Sequence, residues 1–373
     1  MAEYRLTEVT DHRDTLRFIT FPDELYRGCP QYVPALHSDE MFMLTKFAAL
    51  SYCRRKMWLV LDGGRVAGRI CAIINPRYNE LYGTRRVRFG WFDCVEDIEV
   101  ARMLIGAASD WARKEGMTEI HGPLSYNTLG RQGMLVEGYE YVPPFNCPYN
   151  YPYYNDFLTA LDFDKECDWV QYRMVANHGV PDKTRRVAKM LQDKEKLHFA
   201  DIRAVKKDPA EVRRFFKAFN DSFSDVYGFV PLDDDEIEDE ARRMLPYLSD
   251  KSSCMLLDGS DEIVAFGISF PSISGALQKA KGSLFPFGWA HLLKAKHDYE
   301  TTDLMANGAV RKWQNTGVSS VFYKEMGDKA IRIGNRWAIS NPQLESDSAA
   351  NIWNCYEHES YMRRRCYLRN IED

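Results

Sequence analysis

The clearest chemical signal in the chain is the run Gln314-Asn315-Thr316-Gly317-Val318-Ser319-Ser320. It follows an apolar stretch, Leu304, Met305, Ala306, Ala309 and Val310, that suits a buried strand. Val318, Val321, Phe322 and Met326 then recur at the spacing of one buried helix face. A glycine where a strand turns into a helix leaves backbone N–H groups free to face an anion, and the helix N-terminus adds partial positive charge. Arg311 and Lys312 lie just ahead, with no acid before Gly317. The chemistry implied is the holding of a phosphate or pyrophosphate. An ordinary strand-turn-helix, with Gly317 supplying a positive φ, fits the same residues. No Lys-Ser or Lys-Thr follows a GxxxxG spacing and no GxGxxG occurs, so P-loop and dinucleotide fingerprints are excluded.

The elements that would position this turn occur twice. In the first half, Met57–Leu61 and Val66–Ile74 read as strands around the hairpin signal Asp62-Gly63-Gly64. Arg88–Cys94 follows as a strand, and Ile98–Lys114 as a helix whose stripe is Val100, Leu104, Ala107, Ala108 and Trp111. Thr118–His121 starts another strand. In the second half, Ser253–Leu257, Ile263–Phe270 and Leu304–Val310 are strands, then comes the Gly317 helix, then Arg336–Ile339 as a strand. Ala349–Tyr356 reads as a short helix and Met362–Leu368 as a terminal strand. The halves differ at one point: Glu96, Asp97 and Glu99 stand where the first half would need an anion site. They read as helix-capping groups that would repel a pyrophosphate. Asp233, Asp234, Asp235 and Glu236 read as a second acidic helix start, with attraction of a cationic acceptor as the alternative.

With 373 residues, the chain is long enough for about two domains. Its 45% hydrophobic and 28% charged content is that of a globular protein. No apolar run approaches the roughly 20 residues of a membrane span, and residues 1 to 14 lack an apolar signal core, so a cytoplasmic protein is expected. A net charge of −5 argues against general nucleic-acid binding. The nine scattered cysteines contain no CxxC pair, the histidines no HExxH, and there is no GxSxG; metal and hydrolase chemistry are not indicated.

The Gln314–Ser319 turn resembles the pyrophosphate loop of the GNAT superfamily of acyl-CoA N-acyltransferases: Gln or Arg, two residues, Gly, one residue, then Gly or Ala, the last position here being Ser319. The whole chain resembles tandem-GNAT, N-acetyltransferase-like proteins of bacteria. The stretches that carry this are YVPALHSDE, RVAGRICAIIN, FGWFDCVEDIEVARML, GYEYVPPFNCPYNYPYYNDFL and GSLFPFGW. The resemblance implies an α/β fold of two GNAT-like domains, each a mixed, mostly antiparallel sheet flanked by helices. The expected division is 1–175 without a cofactor loop, 176–200 as a linking helix, and 201–373 with the pyrophosphate loop.

The same resemblance implies transfer from acetyl-CoA, or another acyl-CoA, to a small-molecule or peptide amine. Amides of Gln314, Asn315, Thr316, Gly317, Val318, Ser319 and Ser320 would hold the pyrophosphate, with Arg311 and Lys312 at the rim. Ala309 and Val310 would meet the pantetheine and polarise the thioester carbonyl. The family pattern places an Asn and a Tyr near the sulfur, here Asn351 and Tyr356, with Tyr356 as general acid; packing of Tyr356 on Trp353 is the other reading. Glu345 or Asp347 would be the base, directly or through water, or merely a loop carboxylate. Asp303, near the start of its strand, is the poorer candidate. A non-catalytic tandem that binds an acyl-CoA or a partner remains the alternative function. An aminoacyl transfer from tRNA would need a basic face, for which Arg363-Arg364-Arg365 is too short. A homodimer stays open. The aromatic segment Tyr139–Tyr154 is expected to pack between domains, or else to wall an acceptor site. Leu284–Leu293 is expected to be a buried arm over the sheet, or else a lid admitting a lipid-like acceptor. His121 is expected to be structural.

Overall fold

The computed structural model describes residues 3–346, 353 and 356–372. The chain divides into two compact units: Met1–Trp169 with Ser274–His291 and Met362–Asp373, and Val170–Ile273 with Leu292–Tyr361. The segments 274–291 and 362–373, placed with the C-terminal half by the sequence, thus belong to the first unit.

The first unit begins with strand β1 (Tyr4–Glu8) and helices α1 (His12–Leu25) and α2 (His37–Thr45). It continues through β2 (Arg54–Asp62), β3 (Arg65–Ile74), α3 (Pro76–Tyr82), β4 (Arg86–Cys94), α4 (Ile98–Lys114), β5 (Glu119–Gly122), β6 (Met134–Glu137) and α5 (Tyr153–Ala160). Strand β7 (Asp164–Val175) leads into the second unit. There follow α6 (Asp182–Glu195), β8 (His198–Phe199), α7 (Ile202–Lys207), α8 (Pro209–Phe223), α9 (Asp234–Met244), β9 (Cys254–Leu257) and β10 (Ile263–Pro271). After α10 (Ser274–Ala280) and α11 (Gly288–Ala295) come β11 (Thr301–Ala309), α12 (Ser319–Ile333), β12 (Trp337–Ile339), β13 (Gln343–Leu344) and β14 (His358–Asn370).

The strand order is β1-β2-β3-β4-β5-β14 in the first unit and β7-β12-β11-β10-β9-β8 in the second. In each, the central pair is parallel, β4 with β5 and β11 with β12, and the flanking hairpins are antiparallel. A helix, α4 or α12, joins the parallel strands, as a parallel crossover requires. The halves therefore repeat one design. In the first unit, α4 buries Val100, Leu104, Ala108 and Trp111 against one sheet face, while Phe18 of α1 and Leu44 of α2 seal the other. In the second, α12 buries Val321 and Phe322 with Leu191 of α6. On the other face, Phe215 and Phe219 of α8 pack on Phe266 of β10.

Asp97 caps α4, accepting the Glu99 N–H at 2.9 Å, and Asp233 forms a capping box with Glu236 at α9. Both acidic clusters are thus helix starts. Tyr139, Tyr151, Tyr153 and Tyr154 are each hydrogen-bonded inside the first unit. The Tyr154 hydroxyl accepts the Cys94 N–H at 2.9 Å, and Tyr26 reaches Asp93, itself paired with buried Arg69 at 2.8 Å. The arm 284–293 is not buried: Phe285, Phe287, Trp289 and Leu293 are exposed. Of the expected helix 349–356, only Trp353 and Tyr356 lie among the described residues.

Gly90 lies where a Cβ would stand 2.5 Å from the Leu124 carbonyl oxygen. Gly106, inside α4, has nothing within 4 Å of that position. Gly90→Ala should therefore cost about 1–3 kcal/mol and lower the thermal midpoint. Gly106→Ala should raise stability by up to about 1 kcal/mol. Calorimetric melts of both variants check the pair.

Candidate functional site

Strands β11 and β12 pair over three positions: Thr301 with Trp337, Thr302 with Ala338 and Asp303 with Ile339. Beyond Asp303 no described strand pairs with β11 on that side, while β10 accompanies it to Ala309 on the other. The Val310 N–H donates to the Val264 carbonyl at 3.0 Å. Hydrogen-bonded and non-bonded pairs alternate along an antiparallel ladder, so Ala309 and Asn307 turn their backbone groups away from β10, into the gap. The Gln314 side chain agrees, its Nε2 donating to the Ala309 carbonyl at 3.2 Å. A register shift between Ile268 and Ser269 leaves Met305 without an opposite residue. Thr302, Leu304 and Asn307 consequently share the α12 face, and Asp303, Ala306 and Gly308 the α8 face.

On the α12 face, the gap opens into a cavity of about 50 Å3. Leu304, Ala338, Tyr323, Met326, Asn335 and Tyr356 are among the residues that line it. Tyr356 stands 6.4 Å from Tyr323 and 6.3 Å from Trp353, ring centre to ring centre, so it both packs and faces the cavity. Burial pushes the Tyr323 hydroxyl up to about 12, with Asn307 beside it opposing the shift. Several buried polar atoms here lack a partner: both side-chain polar atoms of Asn307, and Oδ1 of Asn335, whose Nδ2 donates to Thr302 Oγ1 at 2.7 Å. Buried amides are rarely left so, and a ligand with its own amides would satisfy them.

The Arg311–Ser320 turn sits at the N-terminal end of the same helix. Arg311–Trp313 is a single 3₁₀ turn, and Gly317 adopts φ +85°. Some of its amides are used internally. Arg311 N–H donates to Asp221 Oδ2 at 2.7 Å, Gln314 N–H to Arg311 O at 3.2 Å, and Ser320 N–H to Gly317 O at 3.0 Å. The Thr316 N–H makes a long bond to Trp313 O at 3.4 Å. The N–H groups of Asn315, Gly317, Val318 and Ser319 have no partner among the described residues. Helix α12 has no side-chain cap, in contrast to α4. Arg311 is paired with Asp225 at the end of α8, whereas Lys312 is exposed and unpaired among the described residues.

The remaining sequence-derived residues lie apart or are unplaced. Glu345 is exposed in the turn after β13. Asn351 and Asp347 lie outside the described residues. Asp303, the poorer candidate by its place near the strand start, is the carboxylate that the structure buries in the sheet here. It is 1% exposed, neither oxygen has a hydrogen-bond partner, and burial raises it to about 7 with the nearby Ser272 hydroxyl opposing. The signal was present in the sequence: Asp303 and Asn307 are ionisable or amide groups inside an otherwise apolar strand.

The matching gap in the first unit is closed. Strands β4 and β5 also pair over three positions. The chain then continues with Leu124 N–H donating to Phe89 O at 2.8 Å, and the Arg88 guanidinium donates to the Ser125 and Tyr126 carbonyls at 2.9 Å. Elsewhere in that unit, buried His121 and Cys366 and half-buried Glu166 bring their ligand atoms within 4.8 Å of one another. Arg86 is ion-paired to the same Glu166, which opposes a cation there, and burial lowers His121 to about 4. Arg364 is fully buried, while Arg363 and Arg365 pair with Asp168. The Arg363–Arg365 run therefore offers no basic face. No helix among the described residues is long and apolar enough to cross a membrane.

Two units of one design, with a parted parallel strand pair in the second, are the fold of tandem GNAT proteins. The likeness to solved structures agrees: a tandem GNAT protein from the clavulanic acid biosynthesis pathway matches with a TM-score of 0.57 at 11% identity, over 100% of this chain and 99% of that one. Within that class, the chain belongs to the family of Protein YghO of Escherichia coli K12, to which it is 30% identical over 284 residues, 75% of this chain and 71% of YghO. It is also 27% identical over 353 residues to the bacterial ceramide synthase of Caulobacter vibrioides, covering 91% of this chain and 90% of that protein. No family model matches the chain.

The Asp303 shift has a sign that stability measurements can read. Unfolded, the carboxyl ionises near 3.8; folded, near 7. Between those values the folded state holds the extra proton, so this contribution to stability is complete below the lower value and is lost as pH rises through the upper one. In urea melts, Asp303→Asn should gain stability relative to the parent between pH 5 and pH 8. An equal difference at both pH values would show that Asp303 ionises normally.

Proposed function

We propose that the second unit is an acyl-CoA-dependent N-acyltransferase working by direct transfer. The observation that carries this is the parting of β11 from β12 beside four unbonded amides at the start of α12. In this reading, the N–H groups of Asn315, Gly317, Val318 and Ser319 take the pyrophosphate, helped by Lys312 and the helix dipole. The pantetheine adds to the open edge of β11, its amides meeting the backbone of Asn307 and Ala309. The side chains of Asn307 and Asn335 are further partners. A neutral amine attacks the thioester carbonyl, a C–N bond forms, the C–S bond breaks, and the thiolate takes a proton. Tyr356, at the cavity wall, is the proposed donor of that proton. Of the two carboxylates, Asp303 is the better base than exposed Glu345: poised near neutrality, it can both accept and release a proton at working pH.

The acceptor class follows from a different observation. A relative covering nine-tenths of the chain is named a ceramide synthase, and ceramide is the fatty amide of a long-chain amino alcohol. A second cavity, of about 40 Å3, is lined wholly by apolar residues, among them Phe216, Met244, Ile268 and Phe270. Phe270 is the register partner of Asp303, on the same face. That pairing favours a fatty acyl donor or a lipid-like amine over a polar peptide, and a cytoplasmic setting supplies acyl-CoA. The alternative, a binding-only tandem, is favoured by Ser319 at the second small position of the loop. It would give heat on titration with acyl-CoA and no amide product.

Calorimetry with free CoA, acetyl-CoA and palmitoyl-CoA should give binding to all three. No heat at about 1 mM ligand, where even an interaction of about 4 kcal/mol half-saturates, would remove the proposal. Ser319→Glu places a carboxylate among the free amides and should weaken CoA binding about tenfold or more, about 1.4 kcal/mol. The thermal midpoint should hold or rise, because an acid suits a first helical turn. Tyr356→Phe should lower turnover on a long-chain amino alcohol by about a hundredfold with CoA affinity unchanged; unchanged turnover would exclude it as the acid.

A further inference from the structure

We propose that the arm between α10 and α11 is an interfacial anchor that seats the protein on an anionic lipid bilayer. Phe285, Phe287 and Trp289 enter the headgroup region, and Lys279 and Lys281 face lipid phosphates. The inference stands on this surface alone and does not require acyl transfer.

Phe285 is 79% exposed, Phe287 71% and Trp289 51%, with Leu293, 52% exposed, one turn further along α11. Single exposed apolar residues are ordinary; four large ones within nine positions are a patch. The base of the arm is held firmly within the first unit. Gly282 O accepts the His37 N–H at 2.8 Å, Gln278 Nε2 donates to Pro30 O at 2.7 Å, and Ser274 Oγ donates to Pro143 O at 2.8 Å. The tip satisfies several of its own polar groups. Ser283 Oγ accepts the Phe285 N–H at 3.3 Å and donates to Phe285 O at 2.9 Å, and Trp289 N–H donates to Leu284 O at 2.9 Å. The Trp289 indole N–H reaches Pro286 O at 3.0 Å, and Pro286 has no N–H to lose. Each donor bonded within the tip lowers the cost of entering a poorly hydrated layer.

Charge selects a membrane over a protein partner. From Ile263 to His297 the chain carries four lysines, Lys279, Lys281, Lys294 and Lys296, and no carboxylate, in a protein of net charge −5. Lys279, Lys281 and Lys294 are exposed. Aromatic residues beside lysines, whose stems reach along apolar surface while the ammonium stays wet, match a headgroup layer carrying phosphates.

The test is co-sedimentation of the full chain with phosphatidylcholine vesicles, with and without phosphatidylglycerol. The parent should partition to the vesicles containing phosphatidylglycerol. Phe285→Ser/Phe287→Ser/Trp289→Ser together should reduce partitioning about tenfold or more, and Lys279→Glu/Lys281→Glu should abolish the preference for phosphatidylglycerol. All five side chains are exposed, so the variants should keep the parent's thermal midpoint. Should that midpoint fall, quenching of Trp289 by brominated lipid in the parent, compared with Trp289→Phe, reads insertion directly. No partitioning by the parent, equal partitioning by the triple variant, or a dimer in size exclusion that the triple variant breaks without any vesicle binding would each overturn the anchor.

Discussion

A sheet normally spends its backbone hydrogen bonds completely, because an unpaired N–H or C=O away from water is costly. The second unit breaks that rule at one place: β11 and β12 part after Asp303, in the interior of a sheet rather than at its margin. Other features of the site depend on the parting. The bulge at Met305 divides the strand's side chains between two faces, leaving Leu304 and Asn307 toward α12 and Asp303 toward α8. Helix α12 starts without a side-chain cap, so its first amides stay open beside the gap. A packed domain keeps such a defect where something else completes the ladder, and the acyl-CoA proposed above is an extended group of that kind.

The first unit supports this argument by contrast. It has the same parallel pair of three positions and the same following helix, yet Leu124 takes up the bond to Phe89 and Asp97 caps α4. Closing a parted sheet therefore took two local devices: a chain segment laid close against Gly90, and one acid at the helix start. Beside the closed gap, that unit holds the buried Arg69–Asp93 pair with Tyr26 and Tyr154 around it.

Where periodicity is strong, the sequence announces the structure. The stripe Val100, Leu104, Ala108 and Trp111 fixes α4, and the hairpin around Asp62–Gly64 falls at the turn where expected. β7 and β14 are harder to see in full, because DKECDWVQYRMV and HESYMRRRCYLRN carry charges that suggest solvent. Those charges are consumed by each other or by backbone carbonyls, Asp168 with Arg365 and Arg364 with Pro148 O. The strand-turn-helix around Gly317 was legible because glycine and capping chemistry are local. Asp303 was harder to weigh: its direction depends on a bulge, and its unpaired state on what lies across the sheet, neither of which strand alternation reveals. The exposed arm at Phe285 was missed for a related reason, since apolar residues suggest an interior until the neighbours that would bury them are known.

The link between Arg311 and Asp225 has one more consequence. With that guanidinium neutralised and its own N–H held by Asp221, the turn presents directed amide dipoles and the ammonium of Lys312, unpaired among the described residues. Recognition built on short, directional bonds depends on shape and reach more than on long-range attraction. In the proposed reading, grip on a diphosphate through such a turn would therefore weaken less with ionic strength than grip by a cluster of free cations, because mobile ions screen separated charges far more than bonds in contact.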